Sequence, residues 1–177
     1  MMTHSSTFKL IEQDVWDWII NYIEVENKFY DYKFAPCPFA KSARLKGLVS
    51  VSVYESGSKA DFIKKHTSEL SGIHIMVFPT YVKWFFHLRW LIDKINNRVI
   101  SKDYYLQYGL AVKTESKYPG IFNSQPYFIV IINKLSDVLK GHTALLNTTY
   151  YKDWTKEHYY NVVTRRQEKV SKWKRNS

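Results

Sequence analysis

The hydrophobic positions near the start of the chain follow the period of a helix. Between Leu10 and Asn27 an apolar residue recurs every three or four positions, which predicts an amphipathic helix with one buried stripe. A loop with a short helical turn, "FYDYKFAPCPFAKSARLKG", comes next. "LVSVSVYES" then alternates apolar and polar residues and is rich in β-branched side chains, which predicts the first strand. The helical stripe consists of Ile11, Val15, Trp18, Ile19, Tyr22 and Ile23.

A second helix and a second strand follow the first strand. Gly57 breaks the alternating pattern, and Ser58 with Asp61 three residues later resembles a capping box, which predicts a helix to about Leu70. The short apolar run "HIMVFP" predicts a buried strand. Thr80 is the expected cap of the next helix. Its inner face is expected to comprise Phe85, Leu88, Leu91, Ile92, Ile95 and Val99 within a helix from Tyr81 to about Val99.

Two more strands and two more helices complete the pattern. "YYLQYGLAVKT" is expected to form the third strand, and the Pro-Gly turn at Pro119 places "ESKYPGIFNSQ" in a loop. "PYFIVIINK" is almost entirely apolar, which is typical of a strand buried on both faces, and Pro126 opens it where proline is tolerated. One helix is expected to begin near Ser136, and the last helix follows Asp153, a candidate cap.

The predicted element order is α-β-α-β-α-β-β-α-α. We expect an α/β or α+β fold in which a single four-stranded, mainly parallel or mixed sheet is covered by helices. Any parallel β-α-β unit should have a right-handed crossover. At 177 residues the chain fits one globular domain, 1–177, and residues 165–177 form a basic helix end and tail.

Composition narrows the class of protein. The 45% apolar and 24% charged content exclude a disordered chain, and a single cysteine cannot form an internal disulfide. No signal peptide and no apolar run of membrane-spanning length are present, so we expect a cytoplasmic protein that does not cross a membrane. The net charge is +10, and residues 152–177 contain eight basic and three acidic side chains. Such a balance favours contact with phosphate or other anions.

The only cysteine stands between two prolines in "FAPCPFAKSARLKG". Proline favours the first position of a helix, so a helix starting at Pro38 would make Cys37 its N-cap. There the helix dipole, with Lys41 and Arg44 nearby, would lower the pKa of the thiol and produce a reactive sulfur. The structural alternative is that neighbouring apolar residues bury Cys37 as a small hydrophobic side chain.

These residues carry a resemblance. "PCPFA", the Trp-rich helix before it and "LVSVSV" after it resemble an uncharacterised bacterial family whose hallmark is Asn-Leu-Cys-Pro-Phe-Ala after an N-terminal helix. "NSQPYF" is similar to that family's Asn-Arg-Ser-Pro-Tyr-Pro, and "VFPT" to its Val-His-Pro. Phe78 stands in place of the family histidine, and the family's Phe-His-Pro has no counterpart in "LAVKTESKYPG". The resemblance therefore implies kinship and no activity.

Cys-Pro-Phe-Ala is also similar to the Cys-Pro-Tyr-Cys of glutaredoxins, but Ala40 replaces the resolving thiol. Histidines offer weaker possibilities. His66 and Glu69 lie one turn apart but have no third ligand, so no metal and no cofactor are expected. His74 fits a buried histidine, and His87 lies near Arg89, where it could meet an anion.

The end of the chain interleaves aromatic and basic residues, a pattern typical of stacking on bases combined with contact to phosphates. The alternative is that one face of the last helix is buried and the basic face is simply solvated. The candidate contacts to nucleic acid are Arg165, Arg166, Lys169, Lys172, Trp173 and Lys174.

Two kinds of function, with a third alternative, follow from these patterns. The first is a cysteine-centred enzyme or a binder of an anionic small molecule, with Cys37 as the nucleophile or redox thiol in a cleft formed with the Tyr118–Tyr127 loop. The second is a single-stranded nucleic-acid-binding accessory protein that uses the C-terminal helix. A non-enzymatic assembly protein is the third. In the first, the substrate-binding residues would be Lys41, Arg44, Asn123, Gln125 and Tyr127.

Overall fold

A computed structural model describes residues 4–68, 71–79, 85–111 and 127–176. Within these ranges the α-helices are α1 (His4–Trp18), α2 (Ala40–Leu45), α3 (Lys59–Ser68), α4 (Phe85–Val99), α5 (Leu135–Leu146), α6 (Lys156–Tyr159) and α7 (Arg165–Asn176). The strands are β1 (Val49–Val53), β2 (Ile73–Phe78), β3 (Tyr104–Ala111) and β4 (Tyr127–Lys134). The order of helices and strands confirms the prediction, with α2 as the short helical turn.

Several predicted features lie outside the described residues. They are the end of α3 at Leu70, the cap at Thr80, the helix start at Tyr81, the turn at Pro119 and the strand start at Pro126. Inside the described ranges the strand boundaries agree closely with the hydrophobic pattern, whereas α1 begins at His4, before the predicted start near Leu10. Ser58 caps α3 as expected, because its Oγ accepts the Asp61 amide at 3.3 Å.

The four strands form one mixed sheet in the order β1-β2-β4-β3. β1 and β2 are parallel, with Val51 opposite Ile75, and α3 connects them. β4 is antiparallel to both of its neighbours, with Val77 and Gly109 opposite Ile129. The sheet is therefore mixed, and the fold is α+β.

Helices cover both faces of this sheet. Alternate residues of a strand point to opposite faces, so each face packs against its own set of helices. Odd-numbered residues of β2 and β4, such as Val77 and Ile129, pack under the predicted stripe of α1, where Ile11, Val15 and Ile19 are buried. Even-numbered residues pack against α3 and α4. That second cluster contains Ile63, Met76, Phe78, Leu88, Ile92, Ile95, Val99, Phe128, Val130 and Ile132. The predicted inner face of α4 is thus confirmed for the side chains that the structure describes.

One polar side chain of α4 is fully buried next to the second cluster. Asn96 of α4 has no exposed surface, and its amide makes two hydrogen bonds with the backbone of Leu106 in β3. Asn96 Nδ2 donates to the Leu106 carbonyl at 2.9 Å, and Asn96 Oδ1 accepts the Leu106 amide at 2.7 Å. Since both backbone groups of Leu106 point to Asn96, they point away from β4. The side chain therefore takes the place of a neighbouring strand at the outer edge of β3.

The C-terminal helix is defined here as α6, a π-helical turn (Tyr160–Thr164) and α7, which follow one another without a break. Its cap is Thr155, whose Oγ1 accepts the His158 amide at 3.1 Å, so the predicted cap at Asp153 is wrong. The helix packs beside β3 and α5. Its contacts form a third cluster of Ile100, Tyr105, Leu135 and Val170, against which Leu139 and Trp173 also pack.

Candidate functional site

The segment around Cys37 does not have the predicted helix start. α2 begins at Ala40 with Phe39 as its N-cap. The Cys37 carbonyl accepts the Ala40 amide at 3.1 Å, and the Cys37 amide donates to the Ile23 carbonyl at 3.1 Å. Cys37 therefore lies in a turn before the helix, tied to the end of the N-terminal helical region, and the prediction that it caps α2 is wrong.

The electrostatics of Cys37 are also opposite to the expected ones. Burial raises the pKa of the half-buried thiol, and the Glu24 carboxylate raises it further, although amide hydrogen bonds from Phe39 and Ala40 lower it. Arg44 forms a bidentate ion pair with Glu24, with both nitrogen–oxygen distances at 2.8 Å. The guanidinium charge is thereby matched by a buried carboxylate instead of being directed at the thiol. The predicted lowering of the thiol pKa is therefore wrong.

Aromatic side chains hold the chain segment at Pro36. The Tyr150 hydroxyl donates to the Pro36 carbonyl, and the Tyr150 side chain is buried. The Tyr30 ring stacks on Tyr150 with centroids 4.8 Å apart, and Phe34 contacts Tyr150 edge-on at 5.6 Å. This arrangement holds the Cys37 turn against the 147–155 segment. Lys41 is exposed on α2, so its predicted contact with an anionic ligand stays a prediction.

We predict that the Cys37 thiol reacts slowly in the folded protein, because desolvation disfavours the thiolate that carries out the attack. The measurement is the rate of carboxamidomethylation by iodoacetamide as a function of pH, with the protein unfolded in urea as the control. The midpoint of the native protein should lie at higher pH than that of the unfolded chain. A native midpoint below the unfolded one would restore the hypothesis of an activated cysteine.

The second part of the predicted cleft is only partly described. Asn123 and Gln125 lie outside the described residues, so their meeting with Cys37 stays a prediction. Tyr127 is 3% exposed and packs in the cluster under α1, where its hydroxyl donates to the Asp14 carboxylate at 3.1 Å. Burial and this hydrogen bond raise the pKa of Tyr127 to about 12. The predicted role of Tyr127 as a substrate contact is corrected, because the strand alternation points it into the core.

The six predicted nucleic-acid contacts of α7 fall into three groups. Arg165 and Lys169 bind opposite oxygens of Asp93 on α4, with Arg165 Nη2 at 2.7 Å from Oδ2. Arg165 also donates to the Tyr108 hydroxyl. Burial alone would lower the pKa of Arg165, but the Tyr108 hydroxyl and Asp93 outweigh it and raise the pKa. These two predicted nucleic-acid contacts therefore hold the C-terminal helix to α4 as well as carrying charge.

Arg166 and Trp173 belong to the inner side of α7. Arg166 is 4% exposed, and burial lowers its pKa. Its Nε has no hydrogen-bond partner among the described residues. The prediction that Arg166 contacts a phosphate is corrected, since its side chain faces the protein. Trp173 packs against the cluster around Val170, and its stacking on a base stays a prediction.

Lys172 and Lys174 form the third group. Both side chains are exposed, as is Arg175 beyond them. Their position on the outer side of α7 leaves them accessible to phosphates from solvent. The structure thus separates the six predicted contacts into two exposed lysines, two cations paired with Asp93 and two inward-facing side chains.

The outer ridge of α4 brings a tryptophan and several cations together. Trp90 is 59% exposed although it is the largest type of apolar side chain. Lys94, one turn later, places its Nζ 3.8 Å from the centroid of the Trp90 ring, a cation–π contact. His87 and Arg89 are exposed on the same helix.

A cleft lies between α4, β3 and the C-terminal helix. Its volume is about 220 Å³, and it is lined by polar side chains from all three elements. The guanidinium carbons of Arg89 and Arg165 lie 5.9 and 5.2 Å from the centroid of the Tyr108 ring. The remaining lining residues are Tyr105, Leu106, Gln107 and Asn161. Two guanidinium groups, with amide and phenol donors, give this cleft the chemistry of an anion site.

We define the basic face as Arg89, Trp90, Lys94, Arg165 and Lys169. With Asp93 it contains four cations and one carboxylate, so its charge is net positive. Sequence reasoning singled out the α7 members and noted Arg89 beside His87, but it missed Trp90 and Lys94. The missed signal was the spacing of four residues between an aromatic and a lysine on the polar side of a predicted helix.

Histidines do not form a metal site in the described part of the chain. No group of three or more His, Cys, Asp or Glu side chains with metal-binding geometry occurs there. His74 accepts or donates a hydrogen bond with Ser50 at 2.6 Å and stacks on His66 with centroids 4.3 Å apart. Burial and the neighbouring His66 lower the pKa of His74 to about 4. Glu69, the other member of the spacing considered for metal, lies outside the described residues.

The chain matches no family model, no curated protein and no solved structure in the comparisons with known proteins. None of the helices that the structure describes has both the length and the apolar character of a membrane-spanning segment.

Proposed function

We propose that the protein binds single-stranded nucleic acid on the basic face formed by α4 and the C-terminal helix. The observation that carries the proposal is an exposed tryptophan, Trp90, on the same helix as Arg89, which lines a cleft together with Arg165. Proteins that bind single strands without sequence preference combine these two features, an aromatic platform for a base and a basic groove for the backbone.

Two kinds of cation contribute to the affinity for phosphates: those held by Asp93 and those exposed to solvent. Arg165 and Lys169 are held by Asp93, so little conformational entropy remains to be lost when a phosphate approaches them. Arg89 and Lys94 are exposed and have no carboxylate partner among the described ion pairs. The exposed Lys172 and Lys174 extend the positive surface along α7. A strand lying across this face would release counterions from its phosphates, which is the main source of affinity for such ligands.

Trp90 provides the surface on which a base can stack. An indole on the outer ridge of a helix is a platform that an unpaired base can reach, whereas the bases of a duplex are already stacked on each other. Because Lys94 contacts the Trp90 ring, a cation lies beside this stacking surface. Lys94 can therefore contact the phosphate of a nucleotide whose base stacks on Trp90.

The proposal is tested by titrating the protein against a fluorescein-labelled oligothymidylate of about 12 nucleotides at several salt concentrations. With about four phosphate contacts, the logarithm of the binding constant should fall against the logarithm of salt with a slope near −3. Duplex DNA of the same length should bind more weakly. Absence of saturable binding at about 50 mM salt, or equal binding of single and double strands, would contradict a single-strand site.

Variants of Trp90 separate stacking from charge. Trp90→Ala should weaken oligonucleotide binding about 5- to 150-fold, because stacking on one aromatic side chain contributes roughly 1–3 kcal/mol. Trp90→Phe retains an aromatic face and is the matched control, with a smaller loss. If both variants bind like the natural protein, Trp90 does not stack on a base. Competition by inorganic phosphate alone at low concentration would instead indicate a small-anion site in the cleft.

A further inference from the structure

The two edge strands of the sheet, β3 and β1, differ in how their outer edges are covered. The outer edge of β3 is occupied, because Asn96 binds both backbone groups of Leu106 and the C-terminal helix packs beside the strand. β1 forms the opposite edge. Its five residues, Val49–Val53, contain no lysine and no proline, the residues that commonly prevent an edge strand from pairing with another chain.

The hydrogen bonds to β2 show which backbone groups of β1 are turned outward. The Leu48 carbonyl accepts the Ile73 amide at 2.7 Å, and the Tyr54 amide donates to the Val77 carbonyl at 2.8 Å. In a parallel ladder alternate residues make these bonds, so even-numbered residues of β1 face β2. The amide and carbonyl groups of Val49, Val51 and Val53 therefore point away from the sheet. None of them has a hydrogen-bond partner among the residues that the structure describes.

We propose that β1 pairs with β1 of a second copy of this chain to form a dimer with a continuous eight-stranded sheet. The strand Val-Ser-Val-Ser-Val reads the same in both directions. An antiparallel pair with its twofold axis at Val51 places Val49 opposite Val53 and Ser50 opposite Ser52. The outward backbone groups then all fall at hydrogen-bonded positions, giving about six bonds between the chains. This inference does not depend on nucleic-acid binding.

Charges at the strand ends fit this pairing. Lys46 and Glu55 are exposed and lie on either side of β1. Antiparallel pairing about Val51 brings the Lys46 end of one chain beside the Glu55 end of the other, and the same pair occurs again at the symmetry-related position. A parallel arrangement would place like charges together. Leu48, 47% exposed, lies next to the strand and gains cover in the antiparallel dimer.

The first test is the mass of the protein in solution by sedimentation velocity and light scattering up to about 100 μM. The natural chain should reach twice its mass of 21.1 kDa. Val51→Pro removes an outward amide that β2 does not use, and it should make the protein monomeric. Val51→Thr retains the amide and the β-branched shape and should stay dimeric. A natural chain that is monomeric at every concentration would overturn the proposal.

The second test measures the register in which the two β1 strands pair, and it remains decisive if Val51→Pro fails to fold. Ser50→Cys and Ser52→Cys are prepared separately in a Cys37→Ser background and oxidised, alone or as an equal mixture. Opposite residues at this non-hydrogen-bonded pair have Cα atoms about 4.5 Å apart, within the range that a disulfide accepts. The mixture should therefore yield much more cross-linked dimer than either variant alone. Equal cross-linking in all three samples, or none, would exclude the proposed pairing.

Discussion

Replacing Asn96 with alanine should lower the free energy of unfolding by about 3–5 kcal/mol, a large part of the 5–15 kcal/mol typical of a domain. Asn96 has no exposed surface and satisfies both backbone groups of Leu106 at the edge of β3. Without the amide, one buried N–H and one buried carbonyl lose their partners. Each unsatisfied group costs roughly 1–3 kcal/mol, and the cavity adds to this cost.

Urea unfolding followed by far-ultraviolet circular dichroism measures this effect. Asn97→Ala is the matched control, since Asn97 is the next residue of α4 and is exposed. Its expected cost is below about 0.5 kcal/mol, as for most surface substitutions. If Asn96→Ala and Asn97→Ala unfold at the same urea concentration, the amide of Asn96 does not hold the edge of β3.

Most of the fold could be predicted because the sequence pattern and the packing agree. The alternation in "LVSVSV" and the stripe of Ile11, Val15 and Ile19 depend only on which face is buried, and both are present in the structure. Strand order is different, because it depends on contacts between distant segments that no local pattern encodes. Asn96 illustrates the limit. It lies among Ile92, Ile95 and Val99 at helical spacing. The role of a polar residue there can be predicted only once β3 is known to be its hydrogen-bond partner.

The Cys37 segment shows why local rules failed at the candidate site. Proline at the first helical position and cations one turn later predict an activated thiol. The structure delays the helix to Ala40 because Ile23 and Tyr150, distant in sequence, fix the turn by hydrogen bonds to Cys37 and Pro36. The C-terminal helix failed in part for the same reason. Aromatics and bases alternate along it, but the sequence does not indicate that Arg166 faces inward.

Reversing two charges on the basic face should weaken binding of a single strand on the order of 100-fold at about 50 mM salt. Arg89→Glu with Lys94→Glu changes two exposed cations that are not paired with Asp93, so the ion pairs between α4 and α7 are retained. Each contact between unit charges near a protein surface contributes roughly 1 kcal/mol or more, and reversal replaces attraction by repulsion. The fold should be unaffected, because both side chains lie at the surface.

The control for this variant has the same change in net charge at a different place. Lys9 and Lys41 are exposed on α1 and α2, outside α4 and the C-terminal helix. Lys9→Glu with Lys41→Glu should alter oligonucleotide affinity less than about threefold, since only the general field of the protein changes. Lys41 was also a predicted contact for an anionic ligand near Cys37, so a large loss of affinity in this control variant would favour that surface instead.

The direct measurement is fluorescence anisotropy of a labelled oligothymidylate titrated with the natural protein and with the two double variants. We predict that Arg89→Glu with Lys94→Glu loses about two orders of magnitude in affinity, while Lys9→Glu with Lys41→Glu binds almost as the natural protein does. Equal losses in the two variants would show that only net charge matters. A larger loss in the Lys9 and Lys41 variant would place the binding surface elsewhere and contradict the assignment to α4 and the C-terminal helix.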